Sequence, residues 1–418
     1  MHLLKYSRFC VCLAAAILVA VQAGSAGPAQ EPGPGEDVFA APPSEAENKG
    51  INLGPNVNSE YSDFGPVISA DGNFLYFTSD RPGGLAGQEF WVSERVNGVW
   101  QPAKNLGPPV NTPGDEGPDV FSTAEDALYF TACNRSDGLG GCDLYITRKT
   151  KEGWTAPLNL GKPINTEANE VNASIDATGA ILVFASDRPG GLGNYDLWIS
   201  RRAKNPIGAV PLLPEHFRWG TPENPGPAIN TPGWEGVGFI LPDGKTLYFS
   251  STGRGGLGKA DIFKSIFDGD NWSKPENLGE IINTPRDDIY FSLPGSGELA
   301  YFSSDMRGGR GREDIYSISL PFLIPRRLVH VVRGFVRDGK SGGAVAAQIT
   351  LLDPKTRQDF AYTESDPETG AYQIIVCKSE AELVVKAKRY QTFSEPMALA
   401  GQAKMLIMKD VELVPLSK

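Results

Sequence analysis

The chain has 418 residues, 40% of them hydrophobic, and a formal net charge of −11, which is length enough for two or three domains and a sizeable core. The acidic balance is spread along the sequence and argues against a nucleic-acid partner, because phosphate binding needs a basic face. Only three histidines occur, and His216 and His330 lie far apart, which argues against a Ser-His-Asp triad or a histidine-held metal.

The first predicted element is a secretory signal over residues 1–26: Lys5 and Arg8, an apolar run from Phe9 to Ala23, then small residues. The run falls short of the roughly 20 apolar residues that a membrane span needs. Cys10 and Cys12 stand at its front, away from the position of a lipid-carrying cysteine. The expectation is an exported chain, periplasmic or associated with the outer membrane, with no transmembrane segment after cleavage. Residues 27–50, rich in Pro, Ala, Glu and Gly, predict a flexible leader.

From Asn52 the sequence repeats itself. An Asn-x-Gly start recurs at Asn52, Asn105, Asn159, Asn224 and Asn277, spaced by 53, 54, 65 and 53 residues. The long third unit predicts an insertion between Arg202 and Trp219. Each unit runs through an NT-type turn, a short strand, a tight turn, an aromatic strand such as LYFTS, a glycine loop such as SDRPGGLG, and a second aromatic strand such as DLWIS. Four units close on a tryptophan: Trp100, Trp154, Trp219 and Trp272. Four short strands repeated five times predict an all-β, five-bladed propeller over residues 51–324. The fifth unit lacks the closing tryptophan, so its outer strand is expected from residues 322–324 or from residues before Asn52.

Aligned units share an acid, an arginine and a second acid: Asp63, Arg81 and Glu89; Glu116, Arg135 and Asp143; Glu170, Arg188 and Asp196; Glu235, Arg254 and Asp261; Asp288, Arg307 and Asp314. Strand reversal puts these positions on one face of the ring, where arginine can pin each loop by charge-assisted hydrogen bonds. Fivefold repetition argues for a structural bolt, with a ligand or cation site as the alternative. A phosphate cradle would need a helix or a nest of amides beside the loop, and strands flank it on both sides. No catalytic residue, cofactor site or metal site is predicted. Trp234, Arg310 and Arg312 depart from the repeat and are the candidates for partner contacts. In an oxidising compartment Cys133 and Cys142 are expected to bridge the two ends of one loop. Cys377, on a strand-like run, is expected to be buried.

These units resemble the WD-repeat-like propellers of bacterial envelope proteins, the TolB type, and most closely those associated with the OmpA family. After Pro325 the repeat stops. Gly334-Phe335-Val336, Asp338, Thr363, Asp366, Gly370-Ala371-Tyr372 and Lys388-Arg389-Tyr390 resemble a carboxypeptidase-regulatory-like domain, which implies a small prealbumin-type or Ig-like β-sandwich over residues 325–418. The OmpA-type relatives commonly continue into a peptidoglycan-binding domain, and none follows here before Lys418. The resemblance implies a non-enzymatic scaffold that binds an envelope protein through the glycine-loop face. The alternatives are a propeller that binds a carbohydrate or other small ligand, and a carboxylate-based glycan-processing enzyme.

Overall fold

The computed structural model describes residues 50–69, 71–85, 87–121, 127–176, 179–202, 219–293, 299–306, 308–319, 330–376, 378, 380–399 and 406–416. The expected signal and leader, the third-unit insertion, Arg307, residues 322–324 and Cys377 lie outside them. The described residues form strands and turns with one 3-10 turn at Gly226–Ala228. No helix among them is long and apolar enough to cross a membrane.

Five antiparallel sheets follow one another along the chain, each built on three consecutive strands. Their first strands are Asp63–Ile68, Asp115–Phe121, Glu170–Ile175, Glu235–Ile240 and Asp288–Ser292. These inner strands touch in a closed cycle, first to second and onward, with the fifth returning to the first. The middle strands, FLYFTS, ALYFTAC, ILVFAS, TLYFSS and LAYFSS, are almost wholly buried. Their sequences are near-continuously apolar or small because a neighbouring sheet covers each face. Clusters such as Leu144, Leu182, Phe184 and Trp198 therefore span two adjacent sheets.

The seam is closed by the start of the chain. Ile51–Asn52 pairs antiparallel with Asp314–Ser319 and completes the fifth sheet as its outer strand. Of the two sources expected for this strand, the chain just before Asn52 supplies it through Ile51, together with Asn52 itself. It is the fifth sheet's equivalent of Lys104–Asn105, Leu158–Asn159 and Glu276–Asn277, which pair with the third strands of the first, second and fourth sheets. Each unit thus lends its opening Asn-x-Gly segment to the unit before it.

From His330 two further four-stranded sheets share one apolar cluster. Val332, Val336, Ile374 and Val411 face Ile349, Leu351, Phe360 and Leu383. Two ion pairs join this region to the repeat: Arg333 with Asp71 at 3.8 Å and Lys151 with Glu368 at 2.8 Å. Asp71 and Lys151 lie in turns at the ends of strands opposite the glycine loops.

Candidate functional site

The glycine-loop face is built from a repeated set of buried polar groups. The first acid of each unit takes hydrogen bonds from the turn before it, and in the third, fourth and fifth units also from a serine on the strand beside it. Glu170 accepts from Thr166 N–H and Thr166 Oγ1, both at 2.7 Å, and from Ser186 Oγ at 3.0 Å. Glu235 does the same with Thr231 and Ser251, and Asp288 with Thr284 and Ser304. The arginines reach in from the loop. Arg81 pairs with Asp63, Arg188 lies 3.1 Å from Glu170, and Arg135 lies 4.0 Å from Glu116. Arg254 donates to the carbonyls of Ala228 and Ile229 at 2.8 and 2.7 Å and feels the charge of Glu235. Aromatic rings cover the guanidinium groups: Arg188 sits 4.8 Å from the Phe184 ring and 5.3 Å from Trp198, an arrangement that favours a delocalised cation. Burial pushes the Glu116 and Glu235 carboxyls up, and that of Asp288 up to about 6, against the opposing pull of these hydrogen bonds.

The second acid holds the loop backbone. Asp196 accepts from the N–H groups of Leu192 at 2.6 Å and Gly193 at 2.9 Å, and from Asn224 Nδ2 at 2.7 Å. Asp261 and Asp314 repeat the pattern with Asn277 and Asn52. Glu89 and Asp143 do so with Asn105 and Asn159. The asparagines are part of the framework, a role the sequence reading treated only as a marker of spacing. Asn230 of the next turn spans the Leu197 backbone, accepting its N–H at 2.9 Å and donating to its C=O at 3.0 Å. The glycines are set by the same contacts. A Cβ at Gly191 would lie 2.9 Å from the Asp196 carboxylate, and one at Gly193 would lie 2.1 Å from the Gly233 carbonyl of the next unit. The loop that resembled a phosphate cradle is a latch between neighbouring sheets, joined in the second unit by the Cys133–Cys142 disulfide.

Inside this frame all five inner strands line a narrow, partly open central pocket. Each inner strand carries a bulge there, two to three residues after its buried acid. Gly65, Asn172, Val237 and Tyr290 occupy the same bulge position with φ of 63°, 56°, 48° and 60°. Left-handed backbone is costly for valine and tyrosine, about 1–3 kcal/mol each, and strain of this kind gathers at functional sites. One place further on stand Pro66, Asp119, Ala173, Gly238 and Phe291, so a single unit puts a carboxyl on the wall. Asp119 accepts from Thr131 Oγ1 at 3.1 and 3.0 Å and from the Ala173 N–H, while the same Thr131 oxygen accepts the Asn172 N–H at 3.0 Å. Burial pushes the Asp119 carboxyl well above the usual carboxylate range, despite those hydrogen bonds. The wall therefore offers one carboxyl pushed up by burial, together with an amide at Asn172, a phenol at Tyr290 and the rings of Phe239 and Phe291. Sequence reasoning passed over Asp119 because it weighed only acids that recur. Its signal was the reverse, an acid at a position where the other four units have none.

The three departures from the repeat lie on the latch face. Trp234 is half-buried at the fourth turn, and Arg310 and Arg312 are exposed in the fifth loop. The Arg310 N–H donates to Asp314 and the Arg312 N–H to the Tyr61 carbonyl, so their backbones perform the common latch function while their side chains face outward. Among the described residues no group of three or more His, Cys, Asp and Glu side chains is placed to hold a metal.

No family model and no curated protein matches the chain. Solved structures do. TolB from Acinetobacter baumannii is 12% identical over 64% of this chain and 56% of its own length, with a TM-score of 0.39. The α-L-arabinofuranosidase PaAbf62A from Podospora anserina, in complex with cellotriose, is 14% identical over 64% of this chain and 93% of its own, with a TM-score of 0.42. An endo-arabinase from Bacteroides thetaiotaomicron is 14% identical over 66% and 99%, with a TM-score of 0.44. These are likenesses of general form. They correct the expectation of a non-enzymatic scaffold for an envelope protein: chains of this form include several glycoside hydrolases.

Proposed function

We propose that this chain is an exported five-bladed propeller, residues 51–324, followed by a carboxypeptidase-regulatory-like β-sandwich, residues 325–418, and that it binds and processes a glycan at the centre of the ring. The observation that carries the reading is Asp119, the one carboxyl that the described wall presents to a cavity shared by all five inner strands. A glycan asks for many hydrogen bonds to hydroxyls, rings to cover its C–H faces, and an acid to protonate a departing oxygen. Asn172, Tyr290 and the Phe239 and Phe291 rings supply the first two. Asp119, whose carboxyl burial pushes up, supplies the third, giving its proton to the departing oxygen as the glycosidic C–O bond breaks, while water adds to the anomeric carbon and returns a proton to the Asp119 carboxylate. The acid–arginine latches build the frame and stay outside the chemistry.

The test is to incubate the purified chain with neutral arabino-, xylo- and cello-oligosaccharides and measure both binding and new reducing ends. Wild type is expected to release product from at least one of them. Asp119→Asn, which cannot give up a carboxyl proton, should lower that rate by roughly 10²–10⁴-fold while leaving binding within a few-fold. A wild-type chain that neither binds nor cleaves any of them would overturn the reading.

A further inference from the structure

The fourth turn differs from its siblings in a way that bears on what approaches the cavity. The residue before the buried acid is Ser62, Asp115, Asn169, Trp234 or Asp287 in the five units. Asp115, Asn169 and Asp287 each accept a backbone N–H from the loop of the preceding unit, from Gln88 at 2.9 Å, Cys142 at 3.0 Å and Ala260 at 3.2 Å. An indole cannot accept that bond. At the third-to-fourth junction a large ring stands in that place.

The backbone that carries the ring is firmly held. Trp234 N–H donates to Thr252 Oγ1 at 3.0 Å, Thr252 N–H returns to the Trp234 carbonyl at 3.0 Å, and Trp234 bridges in parallel to Tyr195. The indole lies flat across Gly236, where a Cβ would meet Cζ2 at 2.1 Å. Only glycine admits the ring at this point of the inner strand. The next residue, Val237, lines the cavity that contains Asp119. Trp234 is half-buried, as is Tyr195 beside it, and Leu192 on the adjoining loop is 48% exposed. The indole thus stands on the latch face one residue above the wall of the cavity, backed by protein and not sealed over.

Resting on the glycan reading above, we infer that Trp234, flanked by Tyr195, is the stacking platform that positions a neutral sugar ring at the mouth of the cavity. The electron-rich face of an indole attracts the weakly positive C–H face of a sugar, while the sugar's hydroxyls stay turned toward water or toward polar groups. An anionic sugar is disfavoured here, because it would approach a chain of net charge −11. Trp234 is a positioning residue. The proton chemistry belongs to Asp119.

The informative variant is Trp234→Asp, because aspartate fills this turn position in the second and fifth units and should fold. Its melting temperature is expected to stay within a few degrees of wild type, while affinity for the oligosaccharide that wild type binds best falls by roughly 10-fold, the scale of one aromatic contact. Trp234→Phe should fall between the two. Wild-type tryptophan emission should shift on adding that oligosaccharide, and the shift should be lost in Trp234→Phe. Equal affinity in wild type and Trp234→Asp would overturn the platform and leave the Asp119 reading standing. If no oligosaccharide binds wild type, both fall.

Discussion

At the scale of single residues, the repeat spends its buried acids in two ways. Most are saturated by threonine, serine, asparagine and loop N–H groups, so their burial costs are met locally. Asp288 shows the residual cost: burial holds it up to about 6 even with Thr284 and Ser304 donating to it. Its unfolded value is about 3.9, so the folded state binds the proton more tightly. Asp288 therefore contributes stability that is complete below about pH 4 and lost as pH rises through 6. The melting temperature of wild type minus that of Asp288→Asn should fall across pH 4–6.5. A difference that stays flat over this range would contradict the assignment. Recurrent acids and arginines were legible in the sequence because every unit repeats them. The asparagines that carry the second acids were visible but unassigned, since a hydrogen bond between a loop and the start of the next unit has no local signature. Asp119 was hidden for the opposite reason: one copy makes no pattern.

At the scale of the loop and strand, the glycine run is explained position by position. Gly190 adopts φ of 98°, Gly191 leaves room for the Asp196 carboxylate, and Gly193 lies against the Gly233 and Thr231 carbonyls of the next unit. The turn itself could be read from the run, as glycines there predict left-handed backbone. The third glycine could not, because its limit is set by a neighbour about forty residues further along the chain. Gly193→Ala should destabilise by roughly 1–3 kcal/mol through that clash with fixed backbone. Gly161→Ala has φ of 63° but nothing within 4 Å, and should cost less, about 1 kcal/mol from backbone strain alone. Chemical denaturation of the two variants side by side decides it, and a larger loss at Gly161 would reject the latch account.

At the scale of the whole molecule, the ring is stabilised by junctions rather than by self-sufficient sheets. Apolar clusters run across sheet boundaries, and every loop of one unit is completed by the turn and Asn-x-Gly segment of the next. The repeat and its count of units were plain from spacing, whereas the partner of the last sheet was not, because that pairing joins residues 51 and 317. The seam is also where the frame is weakest. Asn105 is tethered by chain on both sides of its sheet, but the strand at Ile51–Asn52 is continuous only with the first sheet. Asn52→Ala should therefore lower the melting temperature more than Asn105→Ala, and hydrogen exchange should rise first along Asp314–Ser319. Equal losses in the two variants would count against a distinct seam.

That seam has a mechanical consequence. A pull on the chain ahead of residue 51 acts first on two paired residues, one of them 70% exposed, and on the side-chain bond from Asn52 to Asp314, ahead of the Leu53 N–H on the Ile315 carbonyl and the Asn58 side chain that spans the Ile315 backbone. Tension applied there would peel the closing strand before it loaded any other sheet. The outer edge of the fifth sheet would open while the inner strands that line the cavity, the Cys133–Cys142 clasp and the C-terminal sheets still held.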